Sequence, residues 1–371
     1  MAVTDVGSGF SRIVATGTNM RFAAAFTVAI LLVSSAAFAQ APRVVNAALQ
    51  ERAVTGPLEP FFQALVRQQA KPAWIAYSVP AIRGRHAGCC GTGESYVVSG
   101  SCYLEGRPSV TGTDDRPVRL EGDATFLVLF RVENQQVGRI VIFSPDCQLD
   151  AGGLPFFVLT GVGPADSVRL LAGFARDTSA PDRVARTAVM AIALHADPAA
   201  DAALEQLVAA DQPLATRKQA ALWLGVARGD RGYEVLRAAA ERDPSAEFRR
   251  QATMALSQSP VPGAIDTLVR MAKADTDPSV RGQALFWLAQ KAGKKAAAAI
   301  TDAIANDPET QVKERAVLAL SRLPKDEGVP LLIGVARSNR NPKIRERAMF
   351  WLGQSKDARA VAFFEEILKA K

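Results

Sequence analysis

At 371 residues, 49% hydrophobic and 22% charged, the chain has the balance of a folded protein of two or three units. Its net charge of +7 is spread without a block of Lys and Arg interleaved with aromatics, which argues against nucleic acid as a partner. No HExxH, GxSxG or GxxxxGK occurs, so three common sequence routes to catalysis are excluded and no catalytic residue is assigned.

In chain order, Arg21 precedes an apolar run from Phe22 to Phe38 that ends AFA before Gln40. A positive residue, a short hydrophobic stretch and a small-x-small site predict a cleaved secretory signal, with an upstream extension, over 1–39. The mature chain is then extracytoplasmic, periplasmic or secreted, and meets a membrane only if this segment stays uncleaved as an anchor. Residues 40–56 are expected to form a linker.

Residues 57–163 read as a small β-rich domain. PLEPFFQALVRQQ (57–69) predicts one amphipathic helix. WIAYSV (74–79), SYVVSG (95–100), VRL (118–120), TFLVLFRV (125–132) and GRIVIFS (138–144) predict strands, the last two joined as a hairpin. All four cysteines fall here, at Cys89, Cys90, Cys102 and Cys147. An oxidising compartment turns them into two structural disulfides. A bond between neighbouring Cys89 and Cys90 needs a strained ring, so each is expected to reach one of Cys102 and Cys147. Zinc held with His86, or a redox-active pair, is the alternative reading. Successive side chains diverge, which makes adjacent cysteines poor co-ligands, so neither metal nor cofactor is assigned.

The remainder, 164–371, repeats. RTAVMAIAL, KQAALWLGV, RQATMALSQ, GQALFWLAQ, ERAVLALSR and ERAMFWLGQ begin at 186, 218, 250, 282, 314 and 346, a constant step of 32 residues. Alanine stands at 188, 220, 252, 284, 316 and 348, and Ile or Leu four residues on. These positions share one helix face, with Trp223, Trp287 and Trp351 between them read as core. A second helical pattern follows in each unit. DP at 243–244, 277–278 and 307–308 and NP at 341–342 mark helix starts. Two helices per 32 residues predict a solenoid of about six repeats, closed at its N-terminal end by a helix over 164–176.

DPSVRGQALFWLAQ and its counterparts resemble the short HEAT-like repeats first named in phycobilisome lyases. The resemblance covers 182–371 and implies a binding scaffold. Hydroxylases built from such repeats use His-Glu pairs for iron; His86 and His195 are each followed by Ala, so that activity does not carry over.

Arg217, Arg249, Arg281, Lys313 and Arg345 occupy one repeat position and are expected to form a ladder along an edge. It would either bind an acidic ligand or pair with inter-repeat acids such as Asp243, Asp277 and Asp307. The expectation is thus an α+β multidomain chain: an all-α superhelical solenoid behind a small disulfide-bonded β-rich domain. Its expected function is an exported scaffold for a protein or peptide partner, an acidic one where the ladder binds it. The alternatives are a lyase-like or chaperone-like enzyme and a thiol-redox module.

Overall fold

The computed structural model describes residues 42–84, 87–89, 97–98, 101–106 and 124–369. The expected signal, His86, Cys90 and the VRL strand lie outside the described residues.

The first part of the chain runs β1 (Arg43–Val45), β2 (Ala48–Ala53), α1 (Leu58–Arg67), β3 (Ala73–Pro80), β4 (Val97–Val98), β5 (Ser101–Tyr103), β6 (Thr125–Glu133), β7 (Gln136–Phe143), β8 (Gln148–Asp150) and β9 (Pro155–Thr160). The larger sheet has the order β2-β9-β3-β6-β7, the smaller β1-β8-β5-β4. Strict alternation gives the larger sheet two apolar faces. Ile75, Tyr77, Val128, Phe130, Ile142 and Phe157 point to one core, while Trp74, Leu127, Leu129, Phe143 and Phe156 point to another. The second core is closed by Cys102, Leu104, Cys147 and Leu149 around the smaller sheet. The hairpin β6–β7 turns through Asn134 and Gln135, both at positive φ (52° and 59°), as the twist of a two-residue hairpin loop requires.

Residues 43–53 are not a linker. β1 and β2 each add a parallel strand, to β8 and β9 respectively. ALQERA carries no alternation because nearly the whole strand is exposed at the sheet edge. Its place rests on backbone hydrogen bonds to β9, which leave no mark in side-chain pattern.

The helices follow as α2 (Pro164–Arg176), α3 (Asp182–Leu194), α4 (Ala199–Val208), α5 (Leu214–Ala227), α6 (Gly229–Arg242), α7 (Ala246–Gln258), α8 (Gly263–Ala274), α9 (Pro278–Ala292), α10 (Lys294–Asn306), α11 (Thr310–Leu320), α12 (Lys325–Ser338), α13 (Pro342–Gln354) and α14 (Ala358–Lys369). After α2 they form six hairpins in the expected register. The alanines at 188, 220, 252, 284, 316 and 348 are all fully buried. A second small position runs at the same period through Ala200, Gly232, Ala264, Ala296, Gly328 and Ala360, all buried. A Cβ at Gly232 would strike the Leu224 carbonyl oxygen, so this position sets how closely the two helices of a repeat approach.

The sheet and the helices share a buried core. One core continues from Phe62, Tyr77 and Phe130 into Val168, Leu171 and Val189. Phe62 of α1 stacks edge-on to Phe130 with centroids 4.7 Å apart, and Phe174 of α2 closes the same cluster. The chain also pairs across the junction: Ile82 N–H donates to Leu194 O (2.8 Å) and Ala196 N–H to Pro80 O (3.0 Å). Beneath this bridge lies a buried polar group. The Ser167 hydroxyl bonds Tyr77 Oη (2.9 Å) and His195 Nε2 (3.1 Å). Burial, only partly countered by Asp197, pushes the His195 pKa down to about 4, and it also raises that of Tyr77. A neutral histidine with 0% exposure has no access to a substrate; this group fastens sheet to solenoid.

Candidate binding surface

Cys89 and Cys147 form a disulfide, and Cys102 is disulfide-bonded as well. Their three sulfurs lie within 4.8 Å of one another, with Cys102 and Cys147 fully buried. Sulfurs oxidised in this way are not thiolate donors, and burial removes two of them from any exchange partner. The bridge ties the Gly88 loop to the segment before β8. Closing a loop of separation 58 stabilises the fold by about 4 kcal/mol on the chain-entropy estimate.

The cationic ladder is present, but its first three members are not a partner-binding track. Arg217, Arg249 and Arg281 are 4%, 9% and 7% exposed. Arg217 pairs with Asp243, Arg249 with Asp275 (2.8 Å) and Arg281 with Asp307 (2.7 Å). Each partner stands 26 residues on, in the loop that opens the next inner helix. Each carboxylate also accepts the amide two residues ahead: Ser245, Asp277 or Glu309. Arg249 and Arg281 in turn donate to the backbone carbonyls of Asp243 and Asp275. Cation, acid and carbonyl therefore alternate along one buried edge across three repeat junctions. Hydrogen bonds to the paired carboxylates raise the pKa of both arginines. Asp277 is not a rung: its carboxylate caps α9 through Ser279 and Val280 N–H. The ladder lapses beyond Arg281. Lys313 Nζ donates to Ala305 O (3.3 Å) and forms no ion pair among the described residues, and Arg345 binds Asn339 O (2.8 Å), with Asn339 at the place of the acid.

The solenoid offers a second candidate face. α3, α5, α7, α9, α11 and α13 pack against one another more extensively than α4, α6, α8, α10, α12 and α14 do. In a curved two-layer array the tighter layer is the inner one, so the first helix of each hairpin lines the concave side. A Cβ at Gly225 of α5 would collide with the Ala255 carbonyl of α7, which marks that close approach. One residue before the Ala/Trp position, Met190, Leu222, Met254, Phe286, Leu318 and Phe350 repeat every 32 residues. The first five are half-buried and Phe350 is 50% exposed. Trp223, Trp287 and Trp351 are half-buried too, so they border the core instead of filling it. Phe286 and Phe350 stack edge-on to Trp287 and Trp351, both with centroids 5.1 Å apart. Three residues before this row come Gln219, Gln251, Gln283, Arg315 and Arg347. An apolar stripe flanked by amide and guanidinium groups can hold an extended chain by packing and by backbone hydrogen bonds. The row stands at the repeat period in the sequence, between the buried positions.

Among the described residues no helix is long and apolar enough to cross a membrane. Residues 209–289 and 297–371 match the family model of HEAT repeats. No curated protein matches the chain. Among solved structures, 108 chains match. Human deoxyhypusine hydroxylase in complex with glycerol is 17% identical, with 52% of this chain and 76% of that one covered and a TM-score of 0.29. The complex of CpcE and CpcF of phycocyanin lyase from Nostoc sp. is 21% identical over 41% of this chain and 97% of that one, with a TM-score of 0.32. Kap95p, in a structure of its binding to RanGDP, is 17% identical; 57% of this chain spans 33% of it at a TM-score of 0.39. With the family match on residues 209–289 and 297–371 and the hairpin array they form, this part of the chain is built of HEAT repeats.

Proposed function

We propose that the chain is an exported scaffold that holds a partner protein on the inner helices of its solenoid. One observation carries this reading: the apolar row Met190–Phe350 is only partly buried along the concave layer, and Phe350 is 50% exposed, while the neighbouring ion pairs are buried and internally satisfied. An apolar row of this length on a soluble surface is a contact surface. Export is supported by the signal-like segment before Gln40 and by the Cys89–Cys147 disulfide, which persists outside the reducing cytoplasm. Affinity would come from area and shape, with the sheet as an end piece that keeps α2 and α3 covered.

The test is chemical cross-linking of the full chain in its own compartment, followed by identification of what it holds. A partner whose cross-links fall on α5, α7, α9, α11 or α13 supports the reading. Cross-links confined to the outer helices, or a chain recovered from the cytoplasm with free thiols, overturn it.

A further inference from the structure

The inner face is not uniform, and its charged groups change along the array. On α5 the inner-layer cation beside the buried ladder is neutralised: Lys218 pairs with Glu247 (2.6 Å). On α11 and α13 two cations are not. Arg315 donates to Ser279 O (3.1 Å) and Arg347 lies 6.0 Å from the Phe350 ring centroid, and neither has a carboxylate partner among the described residues. Both line a cavity of about 230 Å3 between α11 and α13, whose other walls are Gln311, Glu314, Leu318 and Trp351. Gly282 on α9 makes this possible, because a Cβ there would strike Arg315 Cδ; the arginine lies across the bare backbone toward its neighbour helix. The indole Nε1 of Trp351 is buried without a hydrogen-bond partner, so the cavity wall carries an unused donor-bearing ring. Two guanidiniums against one carboxylate leave the cavity with one uncompensated positive charge above an apolar floor.

We propose that this cavity is the docking point for an acidic, apolar segment of a partner protein bound in extended conformation. The inference rests on the scaffold reading and names the chemistry of its ligand. A carboxylate side chain of the segment lies between Arg315 and Arg347, where forked donors suit it. The apolar residues beside it lie on Leu318, Trp351 and Phe350. Adjacent inner helices are about 8–10 Å apart, and an extended chain advances about 3.3 Å per residue, so each repeat takes about three residues. The expected motif is therefore one acidic residue beside two apolar ones at this cavity. Charge complementarity selects this occupant: a basic segment would meet Arg315 and Arg347 unpaired.

Fluorescence anisotropy on the full chain, with a labelled peptide repeating Glu-Leu-Phe, tests it directly. Binding should weaken about tenfold or more for a Gln-Leu-Phe peptide and for the variant Arg315→Gln/Arg347→Gln, and should be absent for Lys-Leu-Phe. Glu314→Gln should tighten it, a gain that no loss of folding could imitate. A thermal melt of the double variant that overlays wild type keeps its result interpretable. Equal binding of the Gln and Glu peptides, no binding of either, or an unaffected double variant overturns the proposal. If the double variant still cross-links its cellular partner through α5–α9, the scaffold reading survives and this cavity falls. If cross-links avoid the inner layer altogether, both fall.

Discussion

The two ends of the helical array obey the same repeat and are held differently. At the N-terminal end the sheet covers α2 and α3 and a continuous core crosses the junction; from the second hairpin to the fifth, three buried ion pairs lock successive hairpins. At the C-terminal end the ladder has lost both its guanidinium, at Lys313, and its acid, at Asn339, and α14 leaves Val361 56% and Leu368 73% exposed. One repeat pattern thus provides either a locked edge or available charge. Where each arginine has its aspartate, nothing is left to recognise a ligand. At a different repeat position, where α5, α7 and α9 carry Gln219, Gln251 and Gln283, α11 and α13 carry Arg315 and Arg347 with no carboxylate partner among the described residues.

The largest expected effect breaks the locked end. Arg281→Ala leaves Asp307 buried without its cation and should cost about 3–5 kcal/mol. Hydrogen exchange should show α9–α11 losing protection, while Arg345→Ala, which has only carbonyl partners at the open end, changes little. Equal losses from the two variants would erase the distinction between the ends.

Acid should separate them next. His195 has an ordinary pKa of 6.5 and a folded value of about 4, so the unfolded state binds its proton first as pH falls. Its contribution is complete above about pH 6.5 and is lost as pH drops toward 4, about 3 kcal/mol in all at 1.36 kcal/mol per unit. Exchange followed from pH 7 to 4 should open the junction of β3 and α3, and His195→Gln should flatten that dependence.

Gly225 and Gly353 hold the same repeat position, which makes a sharper and smaller contrast. At Gly225 a side chain meets the Ala255 carbonyl; at Gly353, on an exposed face of α13, it meets nothing. Gly225→Ala should cost about 1–3 kcal/mol through overpacking. Gly353→Ala should stabilise by up to about 1 kcal/mol through helix propensity. Differential calorimetry of the two variants decides it.

The smallest effect extends the ladder by one rung. Lys313→Arg with Asn339→Asp restores the pairing geometry of 281 and 307 and should add about 1 kcal/mol or less, visible as slower exchange in α11–α13. Each single change alone should add nothing.

Much of this was legible before any coordinates. The 32-residue step, the buried alanines and the Ile/Leu positions follow from local helical periodicity, as does α1. The strands β3, β6 and β7 announced themselves through β-branched and aromatic runs that face two cores. Edge strands β1 and β2 did not, because backbone pairing with residues a hundred positions away leaves no side-chain signature. The ladder's positions were readable, but its role was not. Whether an arginine faces solvent or an aspartate 26 residues on depends on how one hairpin is set against the next.

That division follows from the range of the forces involved. The sequence by itself determined the helical hairpins, their repeat and the confinement of the cysteines to one module, since propensity and periodicity act between near neighbours. Only the tertiary structure decided which helix layer lies inside, that Arg217, Arg249 and Arg281 are spent on stability, and that Arg315 and Arg347 share a cavity. Burial and charge compensation belong to a three-dimensional environment, and the same guanidinium is either a clamp or a binding group according to what is packed beside it.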